Sequence, residues 1–283
     1  TPQASFALSA PPGFEEMPRY LSQHGPVIEV NVDATAAIPH DVDILFWLEP
    51  GNVTPRHLAA LRRFLASGRT VVVAGSLHRV RYRRTESGEV RFRAESTGGA
   101  WERLLEPFGL RPLPDLVMDR NAAAAPVVVD GEWQQVEAPF HLRNLPAFRD
   151  FRPFRTPARG GLSFIAPGPL QIDPQRVSAA GYEAHVAATT TERAWVRDLP
   201  TTDFGLADLG TDLIAPKQNL MVLLTPQDPW AGQLLVLAAA SAFRNGIVSQ
   251  AGFGHGVFLA DLARSFADPE RLVRQRVERH VPP

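Results

Sequence analysis

The chain has 283 residues, a formal net charge of −1 and 45% hydrophobic residues, which suits one large α/β domain and gives no overall field for nucleic acid or an anionic membrane. It has no cysteine, so disulfides, thiolate metal sites and a cysteine nucleophile are excluded. No apolar run reaches the roughly 18–20 residues that a bilayer-spanning helix needs, and Lys217 is the one lysine among 29 basic residues.

In chain order, Ser5–Leu8 reads as a first strand, closed by Pro11, Pro12 and Gly13. Phe14–Gln23 reads as a short helix with Met17 and Leu21 on one side, and Pro26–Val32 as the next strand. The clearest unit is Asp43–Gly75. Ile44–Leu48 is a short apolar run stopped by Pro50 and Gly51, as in a strand buried on both faces. Thr54 stands at an N-cap and Pro55 at the first helical position. Leu58, Leu61, Phe64 and Leu65 then form an apolar stripe, with Arg56, His57, Arg62 and Arg63 off it. Gly68 follows the last turn and Thr70–Ala74 is a second buried strand. A helix between two such strands implies a right-handed crossover and a parallel sheet.

From 78 to 95 the character changes. Val80 and Tyr82, then Val90 and Phe92, alternate with arginines around Glu86-Ser87-Gly88, which predicts an inserted β-hairpin with one charged face. Ala100–Phe108 reads as a helix followed by a proline-rich loop. Residues 127–202 read as an irregular β-rich excursion, with short strands at Val127–Val129, Leu162–Ile165, Leu170–Ile172 and Ala184–Ala188, punctuated by Gly160-Gly161 and Asp173-Pro174. The last third returns to α/β. Leu220–Leu224 and Leu234–Ala238 are buried-type strands, the loop Gly252–Gly256 leads into a helix at Phe258–Phe266, and residues 269–283 form a terminal charged helix.

Three segments, Asp41–Gly75, Gly161–Val196 and Leu234–Ala267, together resemble the extracytoplasmic domain of the gliding-motility-type ABC transporter auxiliary proteins. The resemblance implies a single α/β domain over residues 1–283: a mainly parallel sheet flanked by helices in a glutamine-amidotransferase-like, flavodoxin-like sandwich. It also implies a non-enzymatic subunit on the periplasmic face of the inner membrane, partnered by an ABC permease and ATPase. Anchors flanking residues 1–283 are expected, the terminal helix leading to one of them. The domain would bind a partner protein or an exported substrate such as a polysaccharide, without cofactor, metal or nucleic acid. Relatives often carry Asp-Pro after the strand ending at Ala74, where this chain has Gly75 and Ser76, and acids in the turn occupied here by Ala239–Ala242. A ligand role resting on those acids does not transfer.

In open α/β sheets ligands bind beyond the carboxyl ends of the strands. Those ends offer Glu49 and Asn52, Ser76 and His78, Asp228 and Trp230, and Ser241 with Arg244. Ser76 follows a buried strand with His78 two residues on, so a serine hydrolase using this pair is an alternative. The local Ala74-Gly75-Ser76-Leu77-His78 is not G-x-S-x-G, however, and passes into a hairpin rather than a helix. Glutamine hydrolysis by the amidotransferase route needs a cysteine at that elbow and is excluded. Arg79, Arg81, Arg83, Arg84, Arg91, Arg93 and Tyr82 make the hairpin a candidate contact surface for a protein or an anion, or else a solvated face. The glycines of 252–256 read as freedom for tight turns rather than an anion nest. No histidine pair has metal-ligand spacing. A third reading is a stand-alone soluble ligand-binding module.

Overall fold

The computed structural model describes residues 4–143, 161–198, 203–209, 214–215 and 217–266. The expected terminal helix at 269–283, and parts of the 127–202 stretch, lie outside the described residues.

The first third runs β1 (Phe6–Ser9), α1 (Met17–Leu21), β2 (Val27–Glu29), α2 (Val32–Thr35), β3 (Ile44–Leu48), α3 (Pro55–Ala66) and β4 (Thr70–Ala74). The hairpin β5 (His78–Arg84) and β6 (Val90–Ser96) precedes α4 (Ala100–Leu105), β7 (Leu110–Pro112) and β8 (Leu116–Asp119). Then come β9 (Ala122–Val129), β10 (Glu132–Leu142), β11 (Phe164–Ile165), β12 (Leu170–Ile172), α5 (Pro174–Ala179), β13 (Tyr182–Thr189) and β14 (Ala194–Arg197). The chain closes with β15 (Asn219–Pro226), β16 (Leu234–Leu237) and α6 (His255–Phe266).

The main sheet has seven strands in the order β13-β15-β16-β4-β3-β1-β2. From β2 to β16 all neighbours are parallel, while β15 runs antiparallel to both β16 and β13. The central strands ILFWL, TVVVA and LLVL are buried at every position, as expected where helices cover both faces. The chain steps from β1 to β2 in one direction and from β3 to β4 in the other. With right-handed crossovers this puts α1 and α3 on opposite faces. α1 packs with α6. α4 lies on the α3 side, its Arg103 donating to the Val53 carbonyl at 3.2 Å.

A second apolar core lies beside the first. Phe92, Leu116, Met118, Val129, Val136, Phe140, Trp195 and Phe204 are buried together, with Val80, Tyr82 and Val90 packed against them. The hairpin is therefore one wall of this core, anchored by paired backbone bonds between Phe92 and Phe204 at 2.8 and 2.9 Å.

Three sequence expectations need correction. The strand expected over Pro26–Val32 stops at Glu29, because Asn31 accepts from the Ala34 N–H at 3.1 Å and caps α2. His57 is buried rather than off the stripe: Nδ1 lies 2.7 Å from the Thr54 hydroxyl and Nε2 2.9 Å from the Val32 carbonyl, tying the start of α3 to α2. Asp173-Pro174 is a helix start, with Asp173 accepting from the N–H groups of Gln175 and Arg176. The strand expected at Ala184–Ala188 is the edge of the main sheet, and β10 was not foreseen.

Candidate functional site

Strand order reverses between β1 and β3, and their carboxyl ends flank a crevice, as expected at a topological switch point. A cleft of about 700 Å³ opens there. Its floor is the strand-end loops: Gly13 after β1, Glu49 and Pro50 after β3, Gly75 and Ser76 after β4, and Ala239 to Ser241 after β16. The first and last of these loops are knitted together. Asn245 N–H donates to the Gly13 carbonyl at 2.9 Å and its side-chain oxygen accepts from the Glu16 N–H at 2.9 Å. A second hollow, of about 750 Å³, lies at the amino ends of the parallel strands, where Arg62, Tyr182 and Asp228 meet. It lacks the switch point and the strained residue that mark the first.

That strained residue is Glu49. Its φ of +46° is left-handed, a conformation costly for a residue with a Cβ. The turn aims its carboxylate between two guanidinium groups: Arg79 of β5 at 2.7 Å, and Arg244 of the last loop. Arg244 also lies over the Phe14 ring, 5.2 Å from its centroid. One carboxylate thus joins the hairpin to the far side of the cleft.

The hairpin forms the next wall. Arg81 pairs with Glu95 at 2.8 Å, and Arg93 and Arg83 both reach Asp203. Arg91 contacts Glu89 and Asp208. The arginines of the hairpin's charged face are therefore largely matched by acids of the same chain. Tyr82 turns its hydroxyl inward to His141 at 2.7 Å. His141 Nδ1 faces the Val136 carbonyl at 3.0 Å and must donate, so Nε2 accepts from the tyrosine. Burial pushes His141 down to about 4 and Tyr82 up, which keeps both neutral.

Ser76 and His78 stand close but not as nucleophile and base. The Ser76 hydroxyl donates to the Ala166 carbonyl at 3.3 Å and accepts from the His78 backbone N–H at 3.2 Å. The His78 ring uses Nε2 on the Pro114 carbonyl at 2.6 Å, and burial lowers its pKa. Its Nδ1 is buried without a partner among the described residues, as is the Trp101 indole N–H on the same cleft.

Three of the expected site residues fall elsewhere. Trp230 sits in the turn between β15 and β16, and because β15 is antiparallel this turn lies at the opposite end of the sheet. Asn52 donates to the Asp33 carbonyl at 3.1 Å behind the cleft. Glu49, Ser76, His78, Arg79, Arg81, Tyr82 and Arg244 are brought together on the cleft. Arg83 points away to Asp203.

Sequence reading missed Trp133 and Trp101. Trp133 follows a two-residue turn, Asp130 (φ +51°) and Gly131 (φ +83°), between paired Val129 and Glu132. This is the Asp-Gly signature of a tight hairpin, and it was legible in VVVDGEW. The turn projects Trp133, 58% exposed, across the cleft mouth. Its ring rests on Gly246, where a Cβ would come within 2.6 Å of the indole. Trp101 packs on Gly75 in the same way, with 3.1 Å to a Cβ there.

The glycine loop before α6 is clamped rather than free. Arg143 stacks on Phe253 at 4.3 Å and donates to the Gly252 carbonyl. His255, in the first turn of α6, sends Nδ1 to the Ile247 carbonyl at 2.8 Å and accepts from the Ser163 N–H through Nε2 at 3.0 Å. Burial lowers its pKa to about 4. Among the described residues no three His, Asp or Glu side chains converge as a metal set.

Comparison with solved structures places this architecture among known folds. The mmIFT52 N-terminal domain matches with a TM-score of 0.56 at 12% identity, covering 94% of this chain and 98% of that one. Cytoplasmic Protein STM1381 from Salmonella typhimurium LT2 matches at a TM-score of 0.43 and 9% identity, covering 94% and 100%. A β-galactosidase from Rahnella sp. R3 matches at 0.44 and 11%, covering 93% of this chain but 31% of the enzyme. The first speaks to fold alone, and the other two are too distant to carry an argument. No curated protein matches the sequence. A family model described as an ABC-type uncharacterized transport system matches residues 20–229.

Proposed function

The chain belongs to the ABC-type uncharacterized transport system family, and on that premise we propose that it is the non-enzymatic, extracytoplasmic binding domain of an auxiliary subunit of the gliding-motility type. In this reading it stands on the periplasmic face beside an ABC permease and ATPase, held at the membrane by segments flanking residues 1–283. Among the described residues no helix is long and apolar enough to cross a membrane. The strand order β2-β1-β3-β4 supports reading the fold as akin to the amidotransferase-like sandwich.

The observation that carries a binding role is the cleft itself. It sits where doubly wound sheets hold ligands, and it is braced by a left-handed Glu49 between two arginines. The engagement of Ser76 and the His78 ring with backbone carbonyls supports binding rather than hydrolysis.

Affinity purification of the full-length gene product from its native membrane, with partners identified by mass spectrometry, tests this. Co-purification of a permease and an ATPase is the expected result. A preparation free of both overturns the auxiliary-subunit reading.

A further inference from the structure

We propose that the switch-point cleft is a saccharide site: a hydroxylated sugar chain stacks on Trp133 and hydrogen-bonds to the guanidinium groups of Arg79, Arg81 and Arg244. This rests on the binding role proposed above and names the substrate class of that site.

The chemistry of the walls points to this class. Trp133 is a large aromatic face, 58% exposed, at the mouth of a cleft otherwise rich in polar groups. An indole held against Gly246 is a rigid platform for an apolar ring face, and such amphipathic contact costs little conformational entropy. In the same cleft, three guanidinium groups each present five N–H donors. The contacts to Glu49 and Glu95 engage only some of them. Purely apolar ligands would leave the remaining guanidinium N–H groups unmatched, and a compact inorganic anion would leave the Trp133 face and most of the about 700 Å³ unused. Three arginines against Glu49 and Glu95 leave one positive charge in excess on the wall, so acidic sugars are favoured over neutral ones.

The test is an array of immobilised oligosaccharides of neutral, amino-sugar and uronic-acid composition, probed with the chain and followed by titration calorimetry on the retained glycan. Retention of at least one glycan class is expected. Trp133→Ala should weaken it about tenfold or more, Trp133→Phe should keep most of the affinity, and Trp230→Ala, at the opposite end of the sheet, should not change it. Trp133 is largely exposed, so the alanine variant folds, as circular dichroism checks. A blank array, or binding that Trp133→Ala leaves intact, overturns the proposal. If the permease and ATPase co-purify while the array is blank, the ligand class is wrong and the transport role stands. If a glycan binds through Trp133 but no transporter subunit is recovered, the reverse holds.

Discussion

His255 and His141 are buried with both ring nitrogens engaged, one as donor to a carbonyl and the other as acceptor. A proton on the His255 ring would set two donors against each other at Nε2, where the Ser163 N–H can only donate, whereas the Tyr82 hydroxyl can turn to accept and it is burial that disfavours a proton on His141. Each folded pKa stands at about 4, below the ordinary value of about 6.5. The unfolded chain therefore takes up these protons first. Stability is unaffected above about pH 6.5 and declines as pH falls from there toward about 4, below which the folded state protonates too. The decline is about 2 kcal/mol per histidine between pH 6.5 and 5. Urea unfolding across that range should show it, and His255→Gln should remove roughly its own share of the slope while lowering stability at pH 7. A slope unchanged in this variant would count against the role. Nothing in the sequence marks these two among the eight histidines, because what sets them apart is the carbonyl each meets, of Val136 or Ile247, once the loops have closed. Glu49 is similar. Its place after a strand is readable, but its left-handed backbone is not.

At the scale of the element, the β9–β10 hairpin and the loop after β16 depend on each other through Trp133 and Gly246. Gly246 has φ +70° and no room for a Cβ. Gly246→Ala should cost about 1–2 kcal/mol, from backbone strain together with displacement of the indole. In a Trp133→Ala background the steric part disappears, so the double variant should be less destabilised than the sum of the two singles, as a chemical denaturation cycle would show. Strict additivity would mean that the ring does not rest on the glycine. The elements that the sequence reveals well are those with a strong local signal. β3, α3 and β4 are found at Ile44–Leu48, Pro55–Ala66 and Thr70–Ala74, because apolar runs, an N-cap with Pro55, and Gly68 all agree. The elements around residues 110–142 were harder. β7 and β8 are short and flanked or ended by prolines, and half of β9 is alanine, a residue with little strand signal of its own. Trp230 was misplaced for a topological reason: strand direction, which determines the end of the sheet a turn occupies, is not written in the apolar run of β15.

The whole molecule is two cores sharing one cleft, the sheet supplying the floor and the smaller β-rich core a wall and the overhanging Trp133. Phe92 is fully buried at the centre of the smaller core, in edge contact with Tyr82 and Phe140 at 5.4 and 5.1 Å. Phe92→Ala should cost about 3–5 kcal/mol. Because the two cores are distinct, hydrogen exchange in this variant should speed up across β5, β6 and residues 203–209, while β3 and β4 stay protected. Uniform loss of protection would show instead that the two cores open as one cooperative unit.

The place of β16 in the sheet has a consequence for biosynthesis. β16 lies between β4 and β15 yet is made some 160 residues after β4. Until it leaves the ribosome, the block β2-β1-β3-β4 stays separate from the β13-β15 pair and ends in the unpaired, mostly apolar edge of TVVVA. Such an edge invites pairing with other chains. The loop that completes the cleft, with Arg244 and Asn245, emerges later still. A growing polypeptide is therefore sticky and without a finished pocket for most of its synthesis, and it gains both a sealed sheet and a working cleft in a single late step.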